Sequence, residues 1–88
     1  MLKAARKIIK NALSDNNFEI IDVFEYGISK VEFMVKKNSK IISISFVDDL
    51  SYDFTIFSEN GDEILYNNTQ RLCLLDELRE IIQQDLEK

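Results

Sequence analysis

The chain has 88 residues, with 11 Lys and Arg against 16 Asp and Glu, a formal net charge of −5, no His, no Trp, no Pro, one Cys and two Gly. These residues suit one small domain, 1–88, and a composition that is 45% apolar and 31% charged is that of a folded chain, not a disordered one. Without His and with a single Cys, a zinc site, a Cys–His nucleophile and a Ser–His–Asp triad are excluded.

Leu2 to Ser14 reads as a helix. Leu2, Ala5, Ile9, Ala12 and Leu13 recur at three- and four-residue steps and make one apolar stripe, while Lys3, Lys7 and Lys10, with Arg6 beside them, take another face. Asp15-Asn16-Asn17 predicts its end, because Asn and Asp tolerate turn and left-handed conformations. Phe18 to Ile28 is the first strand candidate, with Phe18, Ile20, Phe24, Tyr26 and Ile28 on one parity. Asp22 breaks that face, and Ile21 and Val23 fall on the other, a pattern that signals a bulge or a strand covered on both sides. Gly27 predicts a bend.

Val31, Phe33 and Val35 alternate with Lys30, Glu32, Met34 and Lys36, the signature of a half-buried strand. Asn38-Ser39 then reads as a turn. Lys40 to Val47 is a third strand with Ile42, Ile44 and Phe46 inward, followed by the loop Asp48-Asp49-Leu50-Ser51. Tyr52 to Ser58 is a fourth, with Tyr52, Phe54 and Ile56 on one face. Asn60-Gly61 predicts a type I′ hairpin, which needs positive φ at both central residues, and Glu63 to Tyr66 is the return strand. Asn67, Asn68 and Thr69 offer helix N-caps. Gln70 to Leu86 reads as the last helix, with Leu74, Leu75, Leu78, Ile81, Ile82 and Leu86 as its stripe and Asp76, Glu77, Glu80, Gln83, Gln84 and Glu87 on its outer face.

The predicted order is α-β-β-β-β-β-α. The connections between strands are too short for parallel crossovers. The expected fold is therefore α+β in two layers: a five-stranded antiparallel meander with one face covered by an N-terminal and a C-terminal helix.

Charge is segregated along this order. Residues 1–40 carry a net +3 and residues 41–88 a net −8. Between Ile41 and Gln70 there is no Lys or Arg, and that window holds Asp48, Asp49, Asp53, Glu59, Asp62 and Glu63. Such a surface repels nucleic acid and attracts a basic protein. The plain alternative is a solvated face that keeps the chain soluble. In a meander the Asp48-Asp49 loop and the Asn60-Gly61 turn fall at opposite ends, with Asp53 between them. The basic face of the first helix suggests phosphate or membrane contact only weakly, because the chain as a whole is acidic.

Other chemistries find little support. The only glycines are Gly27 and Gly61, so there is no phosphate-binding loop, and the two helices lie too far apart in sequence for a helix-turn-helix. Asp48, Asp49 and Asp53 lack the spacing of a calcium loop. Cys73, near a helix start, has no His to activate it and reads as a packing residue. No enzyme activity, cofactor or metal is expected. No apolar run approaches the roughly 20 residues of a membrane span. No apolar signal core follows the basic stretch Met1 to Lys10, which favours a cytoplasmic protein.

Exposed aromatics would supply anchors for a protein partner. Tyr26, Tyr52 and Tyr66 are candidates by type, and Phe57 and Met34 by their place on the sheet face away from the helices. Ile, Lys and Asn number 27 against 8 for Gly, Ala, Pro and Arg, a bias toward AT-rich codons that fits a bacterium, phage or mobile element. In size, charge and helix-then-strands order the chain resembles small acidic inhibitors of the phage anti-defence type.

The expected function is thus a non-enzymatic, protein-binding inhibitor of a nucleic-acid-handling enzyme, of the anti-CRISPR or anti-restriction kind, acting by DNA mimicry through Asp48, Asp49, Asp53, Glu59, Asp62, Glu63 and Phe57. Its partner would be a protein with a basic surface, with no direct nucleic-acid or membrane contact. An immunity protein or antitoxin against a basic toxin shares the same physics. A small assembly subunit, self-associating through an open sheet edge, is the further alternative.

Overall fold

Helix α1 (Leu2–Asp15) buries Ala5, Ile9, Ala12 and Leu13 and leaves Lys3, Arg6, Lys7 and Lys10 exposed, as the stripe predicts. It ends in a Schellman motif. Asn17 takes a left-handed φ of 59°, the Phe18 N–H donates to the Leu13 carbonyl at 3.0 Å, and the Asn17 N–H donates to Ser14 at 3.2 Å. The structure, a computed structural model, describes residues 2–27, 29–37, 40–48, 50–70 and 72–88. Ile28, the expected Asn38-Ser39 turn and Asp49 lie outside the described residues, as does the Leu2 side chain.

Five strands follow: β1 (Glu19–Tyr26), β2 (Lys30–Lys37), β3 (Lys40–Val47), β4 (Tyr52–Phe57) and β5 (Ile64–Gln70). They pair antiparallel in the order β1-β2-β3-β4-β5, the predicted meander. Helix α2 (Leu75–Leu86) packs with α1 on one face. Between helices and sheet lies one core, built from Val31, Phe33 and Val35 of β2, Ile42, Ile44 and Phe46 of β3, and Tyr52, Phe54 and Ile56 of β4, against Ile9, Leu13, Leu78 and Ile82. These are the inward positions that strict alternation assigns. The helices are tied at one end by a reciprocal amide pair, Asn16 with Gln83 at 3.0 and 3.2 Å, and by Arg79 on Asp15 at 3.4 Å.

Three expectations need correction. In β1, Ile20 pairs with Val35 but Asp22 pairs with Met34, so Ile21 is a bulged extra residue. Past the bulge the parity reverses. Val23 then faces Phe33 and the core, while Phe24 and Tyr26 join Glu32 and Lys30 on the outer face. The single face drawn through Phe18, Ile20, Phe24 and Tyr26 is therefore split.

At the β4–β5 connection, Gly61 has a φ of 77° but Asn60 has no positive φ, so the turn is not type I′. Instead the Gly61 N–H closes a turn onto the Ser58 carbonyl at 2.9 Å, and the Ser58 N–H bonds Glu63 at 2.8 Å. This longer loop is followed by a bulge at Leu65, between the Ile56–Tyr66 and Phe57–Ile64 pairs.

Finally, Asn67, Asn68 and Thr69 are not helix caps. They pair with Thr55, Phe54 and Asp53 of β4, and α2 starts only at Leu75 with Leu74 as an N-cap that makes no side-chain cap bond. Completing a sheet edge along β4 outweighs a capping preference worth about 1 kcal/mol. Leu74, expected on the buried stripe, is 49% exposed.

Candidate functional site: the open sheet face

Because α1 and α2 share one side of the sheet, the other side has no helix or loop over it among the described residues. Pairing arranges the side chains of this outer face in rows across the strands. One row is Phe24, Glu32, Ser45, Asp53 and Thr69. The next is Asp22, Met34, Ser43, Thr55 and Asn67, and beyond it Lys36, Ile41, Phe57 and Ile64. Tyr26, Lys30 and Val47 form the row at the opposite end.

Apolar and aromatic groups stand at two corners of the face. Phe24 is 40% exposed and Tyr26 49%, and their rings stack with centroids 6.4 Å apart. The Lys30 ammonium sits 5.1 Å from the Tyr26 centroid and 3.9 Å from Glu32, and the Tyr26 hydroxyl donates weakly to Glu32 at 3.5 Å. Desolvation, with the Glu32 carboxylate adding to it, raises the Tyr26 phenol above its usual pKa. At the far corner Phe57 is half-buried between Ile41 and Ile64.

The predicted acidic residues are divided by this geometry. Asp48 is exposed at the Tyr26–Lys30 end, in a shallow recess with Val47 and Ser29, and its N–H donates to the Ser29 carbonyl at 3.2 Å. Asp53 lies within the face beside Ser45, and one of its carboxylate oxygens is buried without a hydrogen-bond partner among the described residues. Glu59, Asp62 and Glu63 are exposed in the β4–β5 loop at the Phe57 end. There the Ser58 hydroxyl donates to Asp62 at 3.0 Å and accepts the Glu63 N–H at 3.3 Å. Asp53 and Phe57 are four steps apart along β4, a span of about 13 Å. Carboxylates thus mark both ends of the open face instead of gathering in one cluster. Tyr52 is not an anchor: it is fully buried among the core groups.

Other chemistry is sparse. Among the described residues no set of three or more Cys, Asp or Glu side chains could hold a metal ion. Cys73 is buried, and desolvation, with Glu77 adding to it, raises its thiol pKa. A cleft of about 230 Å³ opens beside the end of α2, but its Lys37 ammonium already donates to the Asn16 carbonyl at 3.3 Å and lies 4.5 Å from the Phe18 centroid.

Two groups are not legible as site residues from the sequence pattern. Tyr26 is a candidate anchor by residue type alone and Phe24 is not singled out, because only the exact position of the bulge separates both from the Phe18 and Ile20 side. Asp85 is buried at 3% exposure on α2. Its carboxylate accepts both bonds of the Asn68 amide at 3.2 Å and the Tyr66 hydroxyl at 3.2 Å, tying the end of α2 to β5. Its signal was present in the spacing, since Leu78, Ile82 and Asp85 fall on one helical face. No protein family matches the chain, and neither does any curated protein or solved structure compared with it.

Proposed function

We propose that the chain is a non-enzymatic protein-binding module that docks its open sheet face on a basic protein surface. The observation that carries this reading is the uncovered face itself, with Phe24 and Tyr26 exposed at one corner and carboxylates at both ends. Exposed aromatics on an otherwise uncovered face supply contact area at low entropic cost. The flanking Asp48, Asp53, Glu59, Asp62 and Glu63, with no Lys or Arg between Ile41 and Gln70, attract a positive partner and disfavour nucleic acid. The partner class that fits best is a nucleic-acid-handling enzyme whose own groove is basic, so the module acts as its inhibitor, in the manner of phage or mobile-element anti-defence proteins. Mimicry of this kind places charge along a face rather than at one point.

The test is capture from a lysate of the source cell on immobilised protein, at low and high salt, with bound proteins identified by mass spectrometry. A basic nuclease or other nucleic-acid enzyme is expected on the native bait at low salt and lost at high salt. It is also expected to be absent from a bait with Asp48→Asn, Asp53→Asn, Glu59→Gln, Asp62→Asn and Glu63→Gln together. Equal recovery on both baits would refute the electrostatic part of the proposal.

A further inference from the structure

The two edges of the sheet are built differently. β1 presents Glu19, Asp22 and Glu25 and is bulged at Ile21. β5 reads Ile-Leu-Tyr-Asn-Asn-Thr-Gln, without a charge or a proline, and its one bulge, at Leu65, leaves Tyr66 to Gln70 in regular register with β4. Charges, prolines and bulges are the devices that keep an exposed edge from pairing, and most of β5 has none of them. Among the described residues no further strand pairs beyond β5.

Exposed apolar side chains flank both ends of this edge. Ile64 is 62% and Leu65 49% exposed at its start, and Leu72 is 75% and Leu74 49% exposed just past its end. An antiparallel two-fold pairing lays the start of one strand beside the end of the other. Centred on Asn67, it sets Tyr66 of each copy against Asn68 of its mate and Leu65 against Thr69, so every pair of the ladder is uncharged. The same operation on β1 would set carboxylates near carboxylates, which is destabilising.

We propose that the chain forms a two-fold dimer by antiparallel pairing of the β5 edges of two copies, joining their sheets into one. The interface is isologous, so it closes at two copies. It uses the sheet edge and leaves the open face free, so it stands or falls separately from the docking proposed above. Each copy carries a net charge of −5, and the dimer therefore tightens as salt screens the repulsion, opposite to the salt response of binding to a basic partner.

Sedimentation equilibrium across a concentration series, at low and high salt, reads this directly. The native chain is expected to dimerise, more tightly at high salt. Asn67→Lys sets two ammonium groups opposite each other at the two-fold and is expected to weaken association at least tenfold. Asn67 is exposed and its side-chain bonds, to the Thr55 hydroxyl at 2.7 Å and from the Thr69 hydroxyl at 3.4 Å, are on the surface, so the thermal melt should hold. Asn67→Cys is expected to crosslink to its own copy under mild oxidation, and Asp22→Cys on β1 is not. A native chain that stays monomeric at its solubility limit, or a dimer indifferent to Asn67→Lys, overturns the proposal.

Discussion

At the scale of single residues, Asp85 and Tyr52 are the groups whose burial has the clearest consequences. Asp85 sits in the last turn of α2, where the helix dipole disfavours a carboxylate, yet it is buried. The Asn68 amide and the Tyr66 hydroxyl compensate by donating to it. Asp85→Ala strands those donors and should cost about 2–4 kcal/mol in urea unfolding. Asp85→Asn, which keeps an acceptor, should cost less than half of that. Equal losses would mean that the full carboxylate, with both oxygens accepting, is needed there and that one retained acceptor at unchanged volume does not suffice.

The Tyr52 hydroxyl is buried near the same carboxylate without a geometrically sound hydrogen bond. Burial, with Asp85, Cys73 and Tyr66 adding to it, pushes its phenol far above the usual range. The folded state therefore holds this proton where the unfolded chain, with a pKa of about 10, has released it. Stability should fall as pH rises past about 10, by up to about 1.4 kcal/mol per pH unit, with the raised Cys73 thiol starting a smaller decline above about 8.5. Urea midpoints from neutral to alkaline pH check this. Tyr52→Phe should flatten the steeper part, and an unchanged slope would assign the decline to other groups.

Among the secondary-structure elements, the β1 bulge decides which residues the open face displays. Ile21 is 53% exposed and unpaired, while Ile20 and Asp22 on either side already occupy successive positions against Val35 and Met34. Deleting Ile21 thus leaves every other pair of β1 and β2 intact. The shortened chain should fold with a stability change of about 1 kcal/mol or less, and Phe24 and Tyr26 should stay outside. Loss of the fold, or protection of those rings in solvent-accessibility labelling, would contradict this.

The same elements show how much could be read from the sequence. β2, β3 and β4 were legible because each alternates strictly, and their inward residues are those expected. β1 was legible as a strand but not in its second half, because a bulge of one residue reverses every later side chain and composition does not locate it. The β5–α2 boundary was missed because Asn and Thr serve both caps and polar strand edges, and only the length of β4 decides between them. Of the candidate site, the outward positions of Asp53 and Phe57 followed from β4 alternation, whereas Phe24 and Tyr26 did not.

Taken as a whole, the molecule has two unlike sides. One carries the helices, with the exposed Lys3, Lys7 and Lys10 of α1, and Arg6 paired there with Glu25. The other is the open sheet face, with exposed aromatics and carboxylates at its ends. The central claim is that binding uses the second side. The most direct measurement compares three immobilised baits on one lysate at low salt: the native chain, Phe24→Ser with Tyr26→Ser, and Lys3→Gln with Lys7→Gln and Lys10→Gln. Both Phe24 and Tyr26 are exposed, so folding should persist and is checked by circular dichroism. The account predicts that the basic partner is lost from the aromatic variant and retained by the lysine variant. Retention by the first and loss from the second would move the binding surface to the helices and contradict it.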